Sequence, residues 1–124
     1  MGKWLNLLLG SAAGGIARYV VAGAVYRALG PAFPYGTLAV NASGCFLIGL
    51  LDGLAEEKFL LGPEARLLLM IGFCGAYTTF STLILETDYL VRAGETLRAA
   101  ANLGASLGLG LALLRLGLML SRAV

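Results

Sequence analysis

The sequence predicts an all-α membrane protein with four transmembrane helices, the third of them broken. Three observations predict it. Hydrophobic residues make up 59% of the 124-residue chain and charged residues only 13%, against about a quarter charged in an ordinary soluble domain. Neither a soluble globule nor a disordered chain fits that balance. Four apolar stretches reach the ~20 residues that a helix needs to cross a bilayer. Glycine, with 18 residues, stands at about twice its usual share of roughly 7%, which in a loop-poor apolar chain points to helix backbones in close approach. The length suits a single domain, 1–124, with no room for an appended soluble enzyme. The absence of histidine removes imidazole acid–base and ligand chemistry. A scattered net charge of +2 does not make a nucleic-acid surface.

The first span is expected over Trp4 to Leu29. Lys3 followed by Leu5 to Leu9 resembles a cleaved signal, but apolarity continues past Arg18 through Val25, which favours a retained span. Gly30-Pro31-Ala32-Phe33-Pro34 ends it, because proline cannot extend a helix. The second span, Tyr35 to Ala55, carries Thr37 and Asn41. Asn41-Ala42-Ser43 fits a glycosylation sequon but lies mid-span, out of reach of any glycosyl transfer. Glu56-Glu57-Lys58 and Gly62-Pro63-Glu64 mark the next turn, with Asp52 and Glu56 interfacial and solvated. The third span is Ala65 to Val91, and Arg92-Ala93-Gly94-Glu95 separates it from the fourth, Leu97 to Leu120, which holds Asn102, Ser106 and a snorkelling Arg115. Connections this short imply antiparallel neighbours. Cys45 and Cys74 lie inside spans without CxxC spacing and read as small apolar residues.

Polar groups at membrane depth are expensive and default to functional hypotheses. They concentrate in the third span. Gly72-Phe73-Cys74-Gly75-Ala76-Tyr77-Thr78-Thr79-Phe80-Ser81-Thr82 is a poor continuous helix, with two glycines about its first part and β-branched residues directly after. An interrupted helix frees backbone carbonyls and amides, tolerable only where they face protein, water or an ion. Beyond the break, Thr78, Thr82 and Glu86 recur every four residues and should share one face, with Ser81 beside it. Two readings stand for each polar group. The hydroxyls either bond back to the preceding turn or line a path. Asn41 either glues helices or donates to an anion. Arg18 either snorkels or pairs with a carbonyl, or else makes an anion-attracting vestibule. Glu86 either sits neutrally at the membrane edge or guards a pathway. Gly10 and Gly14, Gly49 and Gly53, and Gly104 and Gly108 are small-xxx-small pairs that suggest close helix contacts, within one chain or between two.

With both termini on one side, that side carries Lys3, Lys58, Arg66 and Arg122, and the other Arg27, Arg92 and Arg98. So slight a bias gives the positive-inside rule little to act on. Either other features fix the topology, or the chain inserts both ways and works as an antiparallel dimer.

Gly14-Gly15-Ile16-Ala17-Arg18-Tyr19, Gly36-Thr37-Leu38-Ala39-Val40-Asn41-Ala42-Ser43-Gly44-Cys45-Phe46, and Gly72-Phe73-Cys74-Gly75 with Thr78-Thr79-Phe80-Ser81-Thr82 occur in that order. Together they resemble the Fluc (CrcB) family of fluoride channels, over three spans in motif and over the fourth in hydropathy. The resemblance implies an antiparallel, dual-topology homodimer with two fluoride pores at its interface, in a prokaryotic plasma or inner membrane. It implies that Asn41 is the pore asparagine, that Phe80 lines fluoride positions, that Ser81 and Thr82 form a hydroxyl track with Thr37 near it, that Glu86 is the acidic residue near the pore, and that Arg18 stands at the vestibule. It also implies a central structural sodium ion held by the backbone carbonyls of Gly75 and Thr78 and shared by both subunits. The implied partners are fluoride, sodium, the bilayer and a second copy or a paralogous subunit.

Two positions depart from the family pattern. Leu83 stands where a second phenylalanine is usual, and the fourth span lacks its usual tyrosine, with Asn102 near that place. The departures raise an alternative, a subunit that is nonconducting or works only beside a paralogous partner. A small proton-coupled multidrug antiporter shares four spans and dual topology, but needs a carboxylate in the first span, where this chain carries Arg18 instead. A passive channel requires no catalytic residue. Hydrogen fluoride enters cells uncharged and dissociates inside, and such a channel returns the anion down its gradient.

Overall fold

A computed structural model describes residues 2–124. Among them there is no strand. Helix α1 spans Gly2–Leu29 and α2 spans Tyr35–Asp52, running on through a π-helical turn, Gly53–Glu57. The third span starts as α3, Pro63–Arg66, widens into π-helical turns over Leu67–Cys74 and closes as α4, Gly75–Tyr77. After two extended residues it resumes as α5, Phe80–Arg92, and α6 covers Thr96–Ala123. The four resulting rods are each long and apolar enough to cross a membrane. Their limits agree with the expected spans to within a few residues.

Local signals account for the ends. Gly30 and Gly94 have φ of +84° and +78°, the left-handed cap conformation that glycine takes without strain. Pro63 stands at the first position of α3, where its missing N–H costs nothing. The chain ends cluster as the short connections imply. Arg122 gives two hydrogen bonds of 2.9 Å to Glu57, and Lys58 Nζ lies 3.4 Å from the Val124 carbonyl. At the opposite end Arg98 reaches the Ala32 carbonyl at 3.2 Å. With Gly2 beside Glu64, both ends of the described chain lie at one end of the bundle. Exposed ion pairs contribute little stability, so these contacts register the helix ends rather than hold the fold.

Glycine does the holding. Helix α2 packs most extensively on α6, and α1 on the π-helical part of the third span. A β-carbon at Gly49 would collide with the Leu114 carbonyl, and one at Gly117 with that of Phe46. Gly10 and Gly14 stand in the same relation to the carbonyls of Leu68 and Phe73. Two of the three glycine pairs are thus intrachain contacts. Gly104 and Gly108 are not: nothing in the chain lies within 4 Å of where their side chains would begin. The fully buried core is accordingly thin, with Val40, Asn102 and Ser121 its largest members. Leucines, valines and tyrosines cover the outside, as the surface of a lipid-embedded bundle requires.

Candidate functional site

The break in the third span is where the site forms, and it falls later than the glycines suggest. The helix passes through both Gly72 and Gly75 and stops at Thr78 and Thr79, whose φ/ψ values are −88°/158° and −149°/115°. The glycine at 72 serves packing instead: a side chain there would meet Gly10 and Ser11 of α1. What breaks the helix is a pair of β-branched residues, stiff at χ1 and at ease in extended backbone. The second of them caps the new helix. Thr79 Oγ1 accepts the Thr82 N–H at 3.3 Å, and its hydroxyl donates to Thr82 Oγ1 at 3.0 Å, the role of an N-cap residue. Since Thr78 lies before α5, it does not continue the helical stripe. Only Thr82 and Glu86 keep the i, i+4 register expected of the three.

Asn41, on α2, closes the break from the side. Its Nδ2 donates to the Thr79 carbonyl at 2.9 Å, and its Oδ1 accepts the Thr79 N–H at 2.7 Å. One extended residue thus has both backbone groups satisfied by one amide, which a buried interruption demands. An asparagine amide has two hydrogens, so one N–H is left for another acceptor. The carbonyls of residues 75 to 78 lose their helical donors at the same time, Gly75 O and Thr78 O among them. In a continuous helix Gly75 O would accept from Thr79 N–H and Thr78 O from Thr82 N–H. Those donors go to Asn41 Oδ1 and Thr79 Oγ1 instead. Gly75 is also exposed on the outer face. These two freed oxygens are what a hard monovalent cation prefers, so the residues present fit the implied sodium.

The expected site residues divide between two sides of the broken span. An open cleft of about 860 Å³ between α1, α2 and α5 is lined by Arg18, Thr37, Thr82 and Glu86 among others. A second cleft, about 400 Å³, brings together Asn41, Gly75, Thr78, Phe80 and Leu83, with Ser106 from α6. Thr79 lines both. Ser81 lines neither and is exposed beside Phe80, itself 75% exposed. Leu83 is buried. Arg18 forms no salt bridge among the described residues.

Glu86 is tied on both oxygens. The Thr37 hydroxyl donates to one, and Tyr26 OH donates to the other at 2.8 Å. Tyr26 is a residue that sequence reasoning misses. The available signal is spacing: Arg18, Ala22 and Tyr26 recur every four residues on one face of α1. The other missed role is that of Asn102, which the sequence marks as a polar group in the fourth span near the place of the family's usual tyrosine. It is 1% exposed and donates to Thr87 Oγ1 at 2.9 Å, while Thr87 donates to the Leu83 carbonyl at 2.7 Å. That chain joins α6 to α5. Asn102 Oδ1 and Ser106 Oγ, one turn apart on α6, have no partner among the described residues.

The arrangement offers hydrogen-bond donors without fixed positive charge at the break and two arginines in the wider cleft. Residues 5–118 match the family described as CrcB-like protein, Camphor Resistance (CrcB). Relatives that carry the name Fluoride-specific ion channel FluC include the following three. That of Maridesulfovibrio salexigens is 44% identical over 124 residues, covering 100% of this chain and 98% of the relative. That of Chlorobaculum tepidum is 51% identical over 120 residues, covering 94% of each. That of Solidesulfovibrio magneticus is 48% identical over 118 residues, covering 95% of this chain and 94% of the relative.

Proposed function

The chain belongs to the CrcB family, and from that premise we propose that it is a fluoride channel of a prokaryotic plasma or inner membrane, passive and built as an antiparallel dimer with two pores. A channel makes and breaks no covalent bond, so no residue is assigned a catalytic role. The observation that carries the reading is the break itself. Asn41 closes it with two hydrogen bonds and keeps one N–H over, in a cleft shared with Phe80 and Ser106. Fluoride is small and tightly hydrated, so a path must offer good donors in place of water. The Asn41 amide and the Ser81 and Thr82 hydroxyls are such donors. An aromatic ring presents a positive edge, so Phe80 faces an anion without carrying a charge. Neutral donors release the ion again, where a fixed cation would retain it.

A second copy is part of the proposal because a single chain leaves the path open. Phe80, Ser81 and Gly75 lie exposed, and Gly104 and Gly108 have no intrachain neighbour. An inverted copy over this face would enclose the path, and the near-even distribution of Lys and Arg between the two ends is consistent with insertion both ways. The Gly75 and Thr78 carbonyls of both copies would hold the central sodium, which supplies positive potential and ties the two breaks together. One observation favours a second reading, a subunit that conducts only beside a paralogue: Leu83 lines the same cleft as Phe80 and, being aliphatic, has no positive edge to offer.

Purified protein in fluoride-loaded liposomes, with a permeant counter-ion pathway and an ion-selective electrode, tests the reading. Rapid efflux without a proton gradient is the expected result. Efflux only with a proton gradient refutes the channel, and silence relieved by a second homologue selects the paired reading. In the same assay Phe80→Ile keeps bulk and removes the ring. Efflux is expected to fall about tenfold or more, as for loss of an aromatic contact of up to ~1.5 kcal/mol at each transit position, with the elution volume of the dimer unchanged. Unaltered efflux would take Phe80 off the path.

A further inference from the structure

Among the described residues, Glu86 is the only carboxylate lining the cleft between α1, α2 and α5. An anion path beside it meets repulsion unless that charge is held in place. Both of its oxygens are occupied, and by hydroxyls from two other helices: Thr37 at the first turn of α2, and Tyr26 near the end of α1. The two hydroxyl oxygens stand 3.5 Å apart, so the carboxylate, the phenol and the alcohol form one cluster where three helices meet. A tyrosine hydroxyl has a single hydrogen, and here it points to Glu86. Tyr26 also carries a packing function, since its ring lies where a side chain on Gly36 would be. That fixes the ring and therefore the direction of its O–H.

We propose that Tyr26 is a positioning residue of the channel: its phenol holds the Glu86 carboxylate at the seam of α1 and α2, so that the charge does not swing across the path at Thr82. The proposal rests on the channel reading above. Thr82 is one helical turn before Glu86 and lines the same cleft, so a carboxylate released from Tyr26 has the hydroxyl track within its sweep. Thr37 alone cannot fix it, because one hydrogen bond leaves the side chain free to rotate about that contact. The other titratable or charged groups lining the cleft are Arg18, Tyr19 and Arg27 on α1 and Tyr89 on α5. Helix α2 contributes none to it, and α6 lines no part of it.

The experiment is fluoride efflux from liposomes carrying wild type, Tyr26→Phe, and Tyr26→Phe combined with Glu86→Gln, at neutral and at mildly acidic pH. The leak of protein-free liposomes is subtracted at each pH. Wild type should be level across the range. Tyr26→Phe should lose about tenfold at neutral pH, the size of a lost hydrogen bond to a charged group. It should recover as the pH falls. The double variant should be level again. A Tyr26→Phe protein with wild-type efflux and pH profile overturns the proposal. So does one that loses efflux equally at both pH values without rescue by Glu86→Gln, which is the signature of damaged packing. If wild type itself carries no fluoride, the channel reading has failed. The infrared carboxylate stretch, assigned by its loss in Glu86→Gln, then decides: a shift in Tyr26→Phe retains the positioning role and no shift removes it.

Discussion

Asn41→Asp should lower fluoride efflux by about two orders of magnitude while the purified protein still elutes as wild type does. The substitution changes almost no volume, so packing does not explain the loss. Chemistry does. The oxygen that accepts the Thr79 N–H at 2.7 Å survives, but the nitrogen that donates to the Thr79 carbonyl at 2.9 Å becomes a second carboxylate oxygen. Two acceptors then face each other at the break, and the carbonyl keeps only the intrahelical bond that an N-cap carbonyl accepts. The remaining amide N–H, offered to the anion, is lost too. The new negative charge acts over a few ångströms: at ~5 Å and an effective dielectric constant of about 20, like charges repel by roughly 3 kcal/mol, which is about a hundredfold in rate. The pH response has a definite sign. Protonation of the introduced carboxyl removes its charge. Stability and efflux should therefore both recover as the pH falls and the proton restores a donor to the Thr79 carbonyl. Efflux at the wild-type rate from a protein shown to be ionised there would remove Asn41 from the path.

The membrane fold was legible because a bilayer imposes its demands on long stretches of chain. Span limits follow from uninterrupted apolarity, and the turns from Gly30, Pro31, Pro63 and Gly94, each of which acts locally. Asn41 and Glu86 stood out because polar atoms in hydrocarbon need a reason. What was not legible depended on partners far away in sequence. That Asn41 answers Thr79, thirty-eight residues on, is a fact of how α2 meets the third span. Sequence alone leaves glue and anion donor as alternatives, and the geometry makes the amide a clamp on the break with one N–H in hand. The misplaced break has a similar origin. Glycine is a poor helix former in water, yet Gly72 stays helical because α1 packs onto it. Thr78 and Thr79 leave the helix because a cap and an asparagine receive them. Tyr26 escapes notice because a tyrosine near a span end is ordinary, and only the position of Glu86 gives its hydroxyl a purpose.

Gly49→Val should be the most damaging substitution to the fold itself, for a reason independent of fluoride. The largest helix contact in the chain is between α2 and α6, and it depends on reciprocal backbone approach. Gly49 lies against the Leu114 carbonyl, Gly117 against that of Phe46, and Gly53 against the Ser121 side chain. In a membrane, helices gain nothing from leaving lipid for each other's apolar surface, so close packing and hydrogen bonds must supply the association. A side chain at Gly49 meets backbone, which has no rotamer to change. The helices must separate along the whole contact, and the Gly117 and Gly53 approaches open with it. Overpacking of this kind costs typically 1–3 kcal/mol and sometimes more, and here three linked contacts place it at about 3 kcal/mol or above. The expected result is a thermal unfolding midpoint in detergent lowered by many degrees, with aggregated material on size exclusion. Gly62→Ala, where the chain is extended and no atom lies within 4 Å of the new methyl, should leave the midpoint where it was. If Gly49→Val unfolds at the wild-type temperature, α2 and α6 do not meet backbone to backbone. The register that sets Asn41 opposite Thr79 would then need another origin, because α2 carries both contacts on one rigid rod.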